Sequence, residues 1–145
     1  MARPYYLLDT NVLSEETKLF PAQNVVEKIR HYAPYSAIST ITWYELLYGM
    51  KRLPDGRRKE FHQKYLYEHV QITYPQIPFD DHAAFIASDI GSKLVANGIV
   101  IASIDLLVAS IAIANNMILI TRNPKDYLAI QNVSSLMVES WWSRG

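Results

Sequence analysis

Leu7-Leu8-Asp9-Thr10-Asn11 is the stretch on which the reading of this chain turns. Two apolar residues run straight into a carboxylate, a hydroxyl and an amide. A short apolar run closed in this way fits a buried strand at 5–8 with Asp9 at its carboxyl end. Open α/β folds bind their ligands outside the carboxyl ends of the strands. Thr121-Arg122-Asn123-Pro124-Lys125-Asp126 leaves the apolar run 117–120 in the same manner, so its polar residues are candidates for the same edge.

Outward from these two strands, the pattern alternates. Residues 10–16 suit a short helix or turn. Pro21 suits the first turn of a second helix, with Val25, Val26 and Ile29 on one side. A strand is expected at 37–39, and Ser39 or Thr40 then caps a helix holding Trp43, Leu46, Leu47 and Met50. Pro54-Asp55-Gly56 is a turn, and 57–68 an amphipathic helix. The segment 40–68 therefore reads as a helical hairpin with a basic tip. A third strand is expected at 70–73. Asp80 caps a helix with Ala83, Ala87, Ile90 and Leu94 on its apolar side, and Asn97-Gly98 ends it. Ser103 is the expected cap of a helix at 104–114, which is apolar nearly all round and so buried. A last strand is expected at 136–138. Apolar strands alternating with helices predict a parallel sheet covered on both faces, an α/β/α sandwich.

The 145 residues are half hydrophobic, with 10 Tyr and 3 Trp, which is enough for a core and predicts one globular domain over 1–145. Cysteine is absent. That removes disulfides and thiolate metal sites and fits a reducing cytoplasm. No signal-peptide apolar region fits before Asp9. The longest apolar stretch, 99–114, is short for a membrane span and is broken by Asp105. A soluble protein without a membrane partner is expected. Formal net charge is zero, yet residues 51–64 hold six Lys and Arg against two acids. A basic arm on a more acidic body suits a protein that holds cations inside and a polyanion outside, and equally suits a solvated hairpin tip. Nucleotide-cradling glycine loops are absent. His31, His62, His69 and His82 lack metal-ligand spacing, and no GxSxG elbow occurs.

Four carboxylates stand out. Asp9, read alone, is also an ordinary N-cap. Glu45 lies among Trp43, Leu46 and Leu47 in the first turns of its helix, and Glu is rarely buried without a partner; its plain alternative is the polar side of that helix. Asp105 is the only charge between Lys93 and Arg122 and opens a helix too apolar for the surface. A desolvated lone carboxylate needs a cation, a metal or backbone donors, and first-turn N–H groups are the plain alternative. Asp126 sits in a loop that would otherwise be unremarkable. Dispersed carboxylates converging on one edge suit Mg²⁺ or Mn²⁺ and phosphodiester cleavage.

In combination these residues resemble a PIN-domain ribonuclease, in particular the toxin of VapBC-type toxin–antitoxin pairs. The resemblance runs nearly end to end: Leu8-Asp9-Thr10-Asn11; Ile38-Ser39-Thr40-Ile41-Thr42 with Glu45-Leu46-Leu47-Tyr48-Gly49; Ile104-Asp105-Leu106-Leu107-Val108-Ala109; Leu119-Ile120-Thr121-Arg122-Asn123 with Asp126-Tyr127; and Val138-Glu139-Ser140-Trp141. It implies a PIN-like sandwich, a homodimer, Mg²⁺- or Mn²⁺-dependent endoribonuclease activity on RNA, and a cognate antitoxin. By position it implies that Asp9, Glu45 and Asp105 are the core metal-binding and catalytic acids. Many members carry a fourth acid where Asn123 stands here, and Asp126 matches the acid found nearby in the toxin branch. Asn11, Thr121 and Asn123 would orient ligands or waters. Arg57, Arg58 and Lys59 are the candidate RNA contacts at the hairpin tip. An RNA-maturation nuclease without antitoxin and a catalytically inactive interaction module are the alternatives.

Overall fold

The computed structural model describes residues 4–142. Five short strands form one parallel sheet: β1 (Tyr6–Leu8), β2 (Ser36–Ser39), β3 (Gln76–Ile77), β4 (Ile118–Ile120) and β5 (Met137–Glu139), in the order β3-β2-β1-β4-β5. Leu7 sits opposite Ala37 on one side and Leu119 on the other; Leu8 sits opposite Ile120. Side chains alternate across a strand, and the core divides accordingly. Leu7, Ala37 and Leu119 face one layer, made by α6 (Asp81–Ala96) and α7 (Ser103–Ala114). Leu8, Ile38 and Ile120 face the other, made by α1 (Thr10–Glu15), α2 (Gln23–Tyr32) and α3 (Thr40–Lys51) with the helical stretch that follows it. The result is the expected three-layer sandwich. From β1 the chain moves outward to β2 and β3, then returns across β1 to β4 and β5. The strand order therefore reverses between β1 and β4, where α/β sheets open a crevice at their carboxyl ends.

Local chemistry explains most element limits. Asp9 ends β1 and caps α1, accepting from the Thr10 N–H at 2.9 Å. Ser39 ends β2 and caps α3 by accepting from the Thr42 N–H. Asp80 caps α6 through the Ala83 N–H, and Gly98, at φ 70°, lets the chain turn away after Asn97.

Three expectations change. The segment 70–73 is not a strand. After α4 (Arg57–Tyr65) the chain stays helical through a wide turn at Leu66–Val70 and a short α5 (Gln71–Thr73). Leu66, Val70 and Tyr74 recur every four residues and are all buried in the same cluster, which is helical spacing. The third strand comes later and is only two residues long. It lies between Pro75 and Pro78, at the sheet edge where proline is tolerated. Pro21 lies just outside α2, whose N-cap is Ala22; the Ala22 N–H is taken instead by the Glu15 carboxylate at 3.0 Å. Ser103 is the first residue of α7, and its N-cap is Ala102, with no side-chain cap. Among the described residues no helix is long and apolar enough to cross a membrane.

Candidate active site

Asp9, Glu45 and Asp105 all line one pocket of about 340 Å³ at the carboxyl end of β1, together with Thr10, Asn11, Ser14, Lys18 and Arg122. Three different elements deliver the acids. β1 ends in Asp9, the second turn of α3 presents Glu45, and the first turn of α7 presents Asp105. α3 packs against both α1 and α7, which closes the triangle.

Each carboxylate has an oxygen pinned by a hydroxyl. The Thr10 hydroxyl donates to Glu45 Oε1 at 2.6 Å. The Thr121 hydroxyl donates to Asp9 Oδ2 at 3.0 Å, and the Tyr127 hydroxyl donates to the same oxygen at 3.1 Å. Tyr127 also reaches Asp105 Oδ1 at 3.4 Å, so one phenol spans two acids. Thr121 is in turn held by donors: the Asn11 amide at 3.2 Å and the Asn123 N–H at 3.3 Å. Asn11 Oδ1 accepts from the Arg122 N–H, which ties the exit of β4 to the start of α1.

All three acids are pushed above the usual carboxylate range. For Asp9, only 8 % exposed, burial is the main cause, opposed by its three donors and reinforced by the charge of Asp126. For Glu45 burial comes first, with the charges of Asp9 and Asp105 adding to it. For Asp105 burial is again first, then Asp9 and Asp126. Burial and the same neighbouring acids hold the Tyr127 phenol far above its ordinary range, so it remains a donor. A pocket with this electrostatic character favours a cation.

The donor set suits a hard divalent cation: carboxylate oxygens, with no sulfur and no imidazole in the pocket lining. It is not a closed cage. Among the described residues no group of three His, Asp or Glu side chains is set to hold a metal ion by itself. Mg²⁺ binds characteristically in such open sites, keeping waters and sharing substrate phosphate oxygens.

Asp126 stands apart from the other three. It is exposed, in the turn Pro124–Tyr127, and does not line the pocket, although its charge reaches Asp9 and Asp105. Asn123 is exposed and contributes its backbone N–H to Thr121. At the hairpin, Arg57 and Arg58 are exposed, while Lys59 is paired with Asp55 at 3.3 Å and donates to the Lys51 carbonyl. Three further residues belong to the site: Thr10, Tyr127 and Glu15. Thr10 and Tyr127 each sat beside a candidate acid in the sequence. Glu15 carried no such signal. It is buried, holds Lys18 at 2.9 Å and has Arg122 at 4.0 Å, so it anchors both cations of the pocket wall. Its carboxyl lies below the usual range; the Ala22 N–H and Lys18 outweigh its burial.

A parallel sheet with acids gathered at its switch point defines a class of α/β domains with an acidic pocket at that edge. The particular assignment follows from comparison. Residues 6–130 match the PIN domain family, and the chain belongs to it. Ribonuclease VapC2 of Rickettsia felis is 32 % identical over 141 residues, covering 94 % of this chain and 97 % of that protein. VapC ribonuclease Y4jK of Sinorhizobium fredii is 30 % identical over 126 residues, covering 85 % and 90 %. Among solved structures, FitAcB from Neisseria gonorrhoeae superposes with a TM-score of 0.85 at 27 % identity, over 96 % of this chain and 99 % of that one. VapBC2 from Rickettsia felis, bound to a DNA fragment from its promoter, gives 0.79 at 28 %, over 95 % and 99 %.

Proposed function

We propose that this protein is an endoribonuclease toxin of a toxin–antitoxin pair, dependent on Mg²⁺ or Mn²⁺. The single observation that carries the reading is the pocket in which Asp9, Glu45 and Asp105 meet, each with an oxygen fixed by a hydroxyl. The ribonuclease names of its relatives and the toxin–antitoxin complexes among its structural neighbours support RNA as substrate and an antitoxin as partner.

Asp9, Glu45 and Asp105 would hold the ion. When bound, a divalent cation supplies Lewis acidity to the phosphodiester and to the attacking water. The protein's own residues do the rest. Thr10, Thr121 and Tyr127 fix the carboxylates, so that they do not reorganise as charge develops. Lys18 and Arg122, anchored on Glu15, place positive charge on the pocket wall, where the phosphate gains negative charge. Among the described residues no histidine lines this pocket, and the reading assigns no imidazole base there. Asp126 acts from the rim through its charge, or through water, and its removal should cost less activity than removal of Asp9.

Asp105→Asn keeps volume and removes one ligand charge. The purified variant should remain folded by circular dichroism and lose RNA cleavage by at least two orders of magnitude. This is the scale expected when one preorganised electrostatic group is lost from an active site. Normal cleavage by that variant would sink the assignment.

A further inference from the structure

A second cavity, of about 320 Å³, adjoins the acidic pocket and shares Thr10, Ser14 and Glu45 with it. It runs between α1 and the hairpin of α3 and α4, and Arg52, Arg58 and His62 line its far side. Arg58 and His62 also border the next depression, beside Lys18. The cations of the hairpin thus divide in two. Arg52 and Arg58 line the groove and, among the described residues, have no carboxylate within ion-pair distance; Arg52 lies over the Tyr48 ring at 4.9 Å. Arg57 lines none of these cavities, and Lys59 is already paired with Asp55. His62 also lines the groove, and burial and the charge of Arg58 hold its imidazole below its ordinary range.

Gly49 is an independent sign of an occupant. It lies inside α3, where glycine is a poorer helix residue than alanine. A Cβ built there would meet nothing within 4 Å. Packing within the chain therefore does not demand glycine. The missing side chain leaves room for a ligand to lie close against the helix backbone there.

We propose that this groove carries the RNA strand adjacent to the scissile phosphate, with Arg52 and Arg58 holding successive backbone phosphates and Gly49 giving the strand close access to α3. The inference rests on the nuclease reading above. Unpaired guanidiniums in a groove adjoining a phosphodiester-cleaving pocket match a single-stranded polyanion. The two guanidiniums reach phosphate, so they confer position rather than sequence choice.

The test uses two double variants that remove the same charge, Arg52→Ala/Arg58→Ala and Arg57→Ala/Lys59→Ala, both in the Asp105→Asn background. Binding of a labelled single-stranded RNA oligonucleotide is followed against salt. The groove pair should weaken binding at least tenfold and reduce the slope of log K against log salt by about 1.4, at roughly 0.7 for each phosphate no longer neutralised. The tip pair should change both far less. Gly49→Ala should raise the melting temperature while weakening RNA binding. Equal effects of the two pairs would mean a diffuse field and overturn the groove, with RNA cleavage by the unaltered protein still standing. Intact RNA binding by the groove pair, with loss of a co-expressed antitoxin, would make it a protein-docking surface and also overturn the proposal. No RNA binding or cleavage by the unaltered protein would overturn the nuclease reading as well.

Discussion

The Tyr127 hydroxyl stands between Asp9 and Asp105, at 3.1 and 3.4 Å, with its ring only 1 % exposed. Among the described residues it is the one donor group that serves two of the mutually repelling acids. Tyr127→Phe keeps the ring and removes that donor. Hydrogen bonds to charged groups are worth about 1.5–3 kcal/mol, less when one is long. The metal-free variant should therefore lose about 1–2 kcal/mol of stability. A divalent ion takes over the task of compensating those charges, so the deficit should narrow at saturating Mg²⁺. Urea denaturation with and without Mg²⁺ reads both values. A deficit unchanged by Mg²⁺ would make Tyr127 a packing residue only. Asp105 stood out in the sequence because a lone charge in an apolar helix is visible in one dimension, while Asp9 and Glu45 joined it as candidates through the family resemblance. The role of Tyr127 was hidden although it follows Asp126, because the acids it serves lie 118 and 22 positions away.

At the scale of elements, two caps of similar chemistry do different jobs. Ser39 starts α3, whose second turn presents Glu45; Asp80 starts α6, which carries no pocket residue. Each loss to alanine should cost about 1 kcal/mol. Only Ser39→Ala should raise the Mg²⁺ concentration needed for half-maximal cleavage, because it loosens the helix that aims an acid. Equal Mg²⁺ requirements in the two variants would detach α3 geometry from the site. α3 and α6 were legible from their ends, since caps and Asn-Gly stops act over three or four residues; α2 and α7 start after Ala22 and Ala102 without a side-chain cap, so their starts were not. The β3 edge strand was not. Val70, Ile72 and Thr73 have strand-like composition, but Val70 repeats the burial of Leu66 and Tyr74 at helical spacing, and tertiary packing overrides the local preference. Two residues between prolines give no periodicity to read. The groove beside α3 was equally invisible, because its walls come from α1 and α4, far apart in sequence.

Across the whole molecule, the pocket's three carboxylates, once ionised, work against the fold. Asp9, Glu45 and Asp105 all have carboxyls raised above their unfolded values, by burial first and then by one another. Such a group binds its proton more tightly in the folded chain. Its contribution is fully present below the ordinary carboxylate pKa of about 4 and is lost as pH rises through the raised value. Glu15 runs the other way: its depressed carboxyl stabilises above the ordinary value, and that is lost as pH falls through the depressed one. Comparison of Asp105→Asn with the unaltered protein isolates the first effect from general acid unfolding. Without metal, the variant should gain in relative melting temperature as pH climbs from about 4 toward neutrality. Added Mg²⁺ should then reverse the order, because it binds the three-acid pocket more tightly than the two-acid one. Glu15→Gln should show the opposite trend, losing ground to the unaltered protein as pH rises from the acid side, with little response to Mg²⁺. Melting curves over pH, with and without Mg²⁺, measure all of these. A melting difference for Asp105→Asn that stays flat with pH would mean that the three carboxylates do not share one electrostatic pocket. Function here would then have to be sought elsewhere on the sheet.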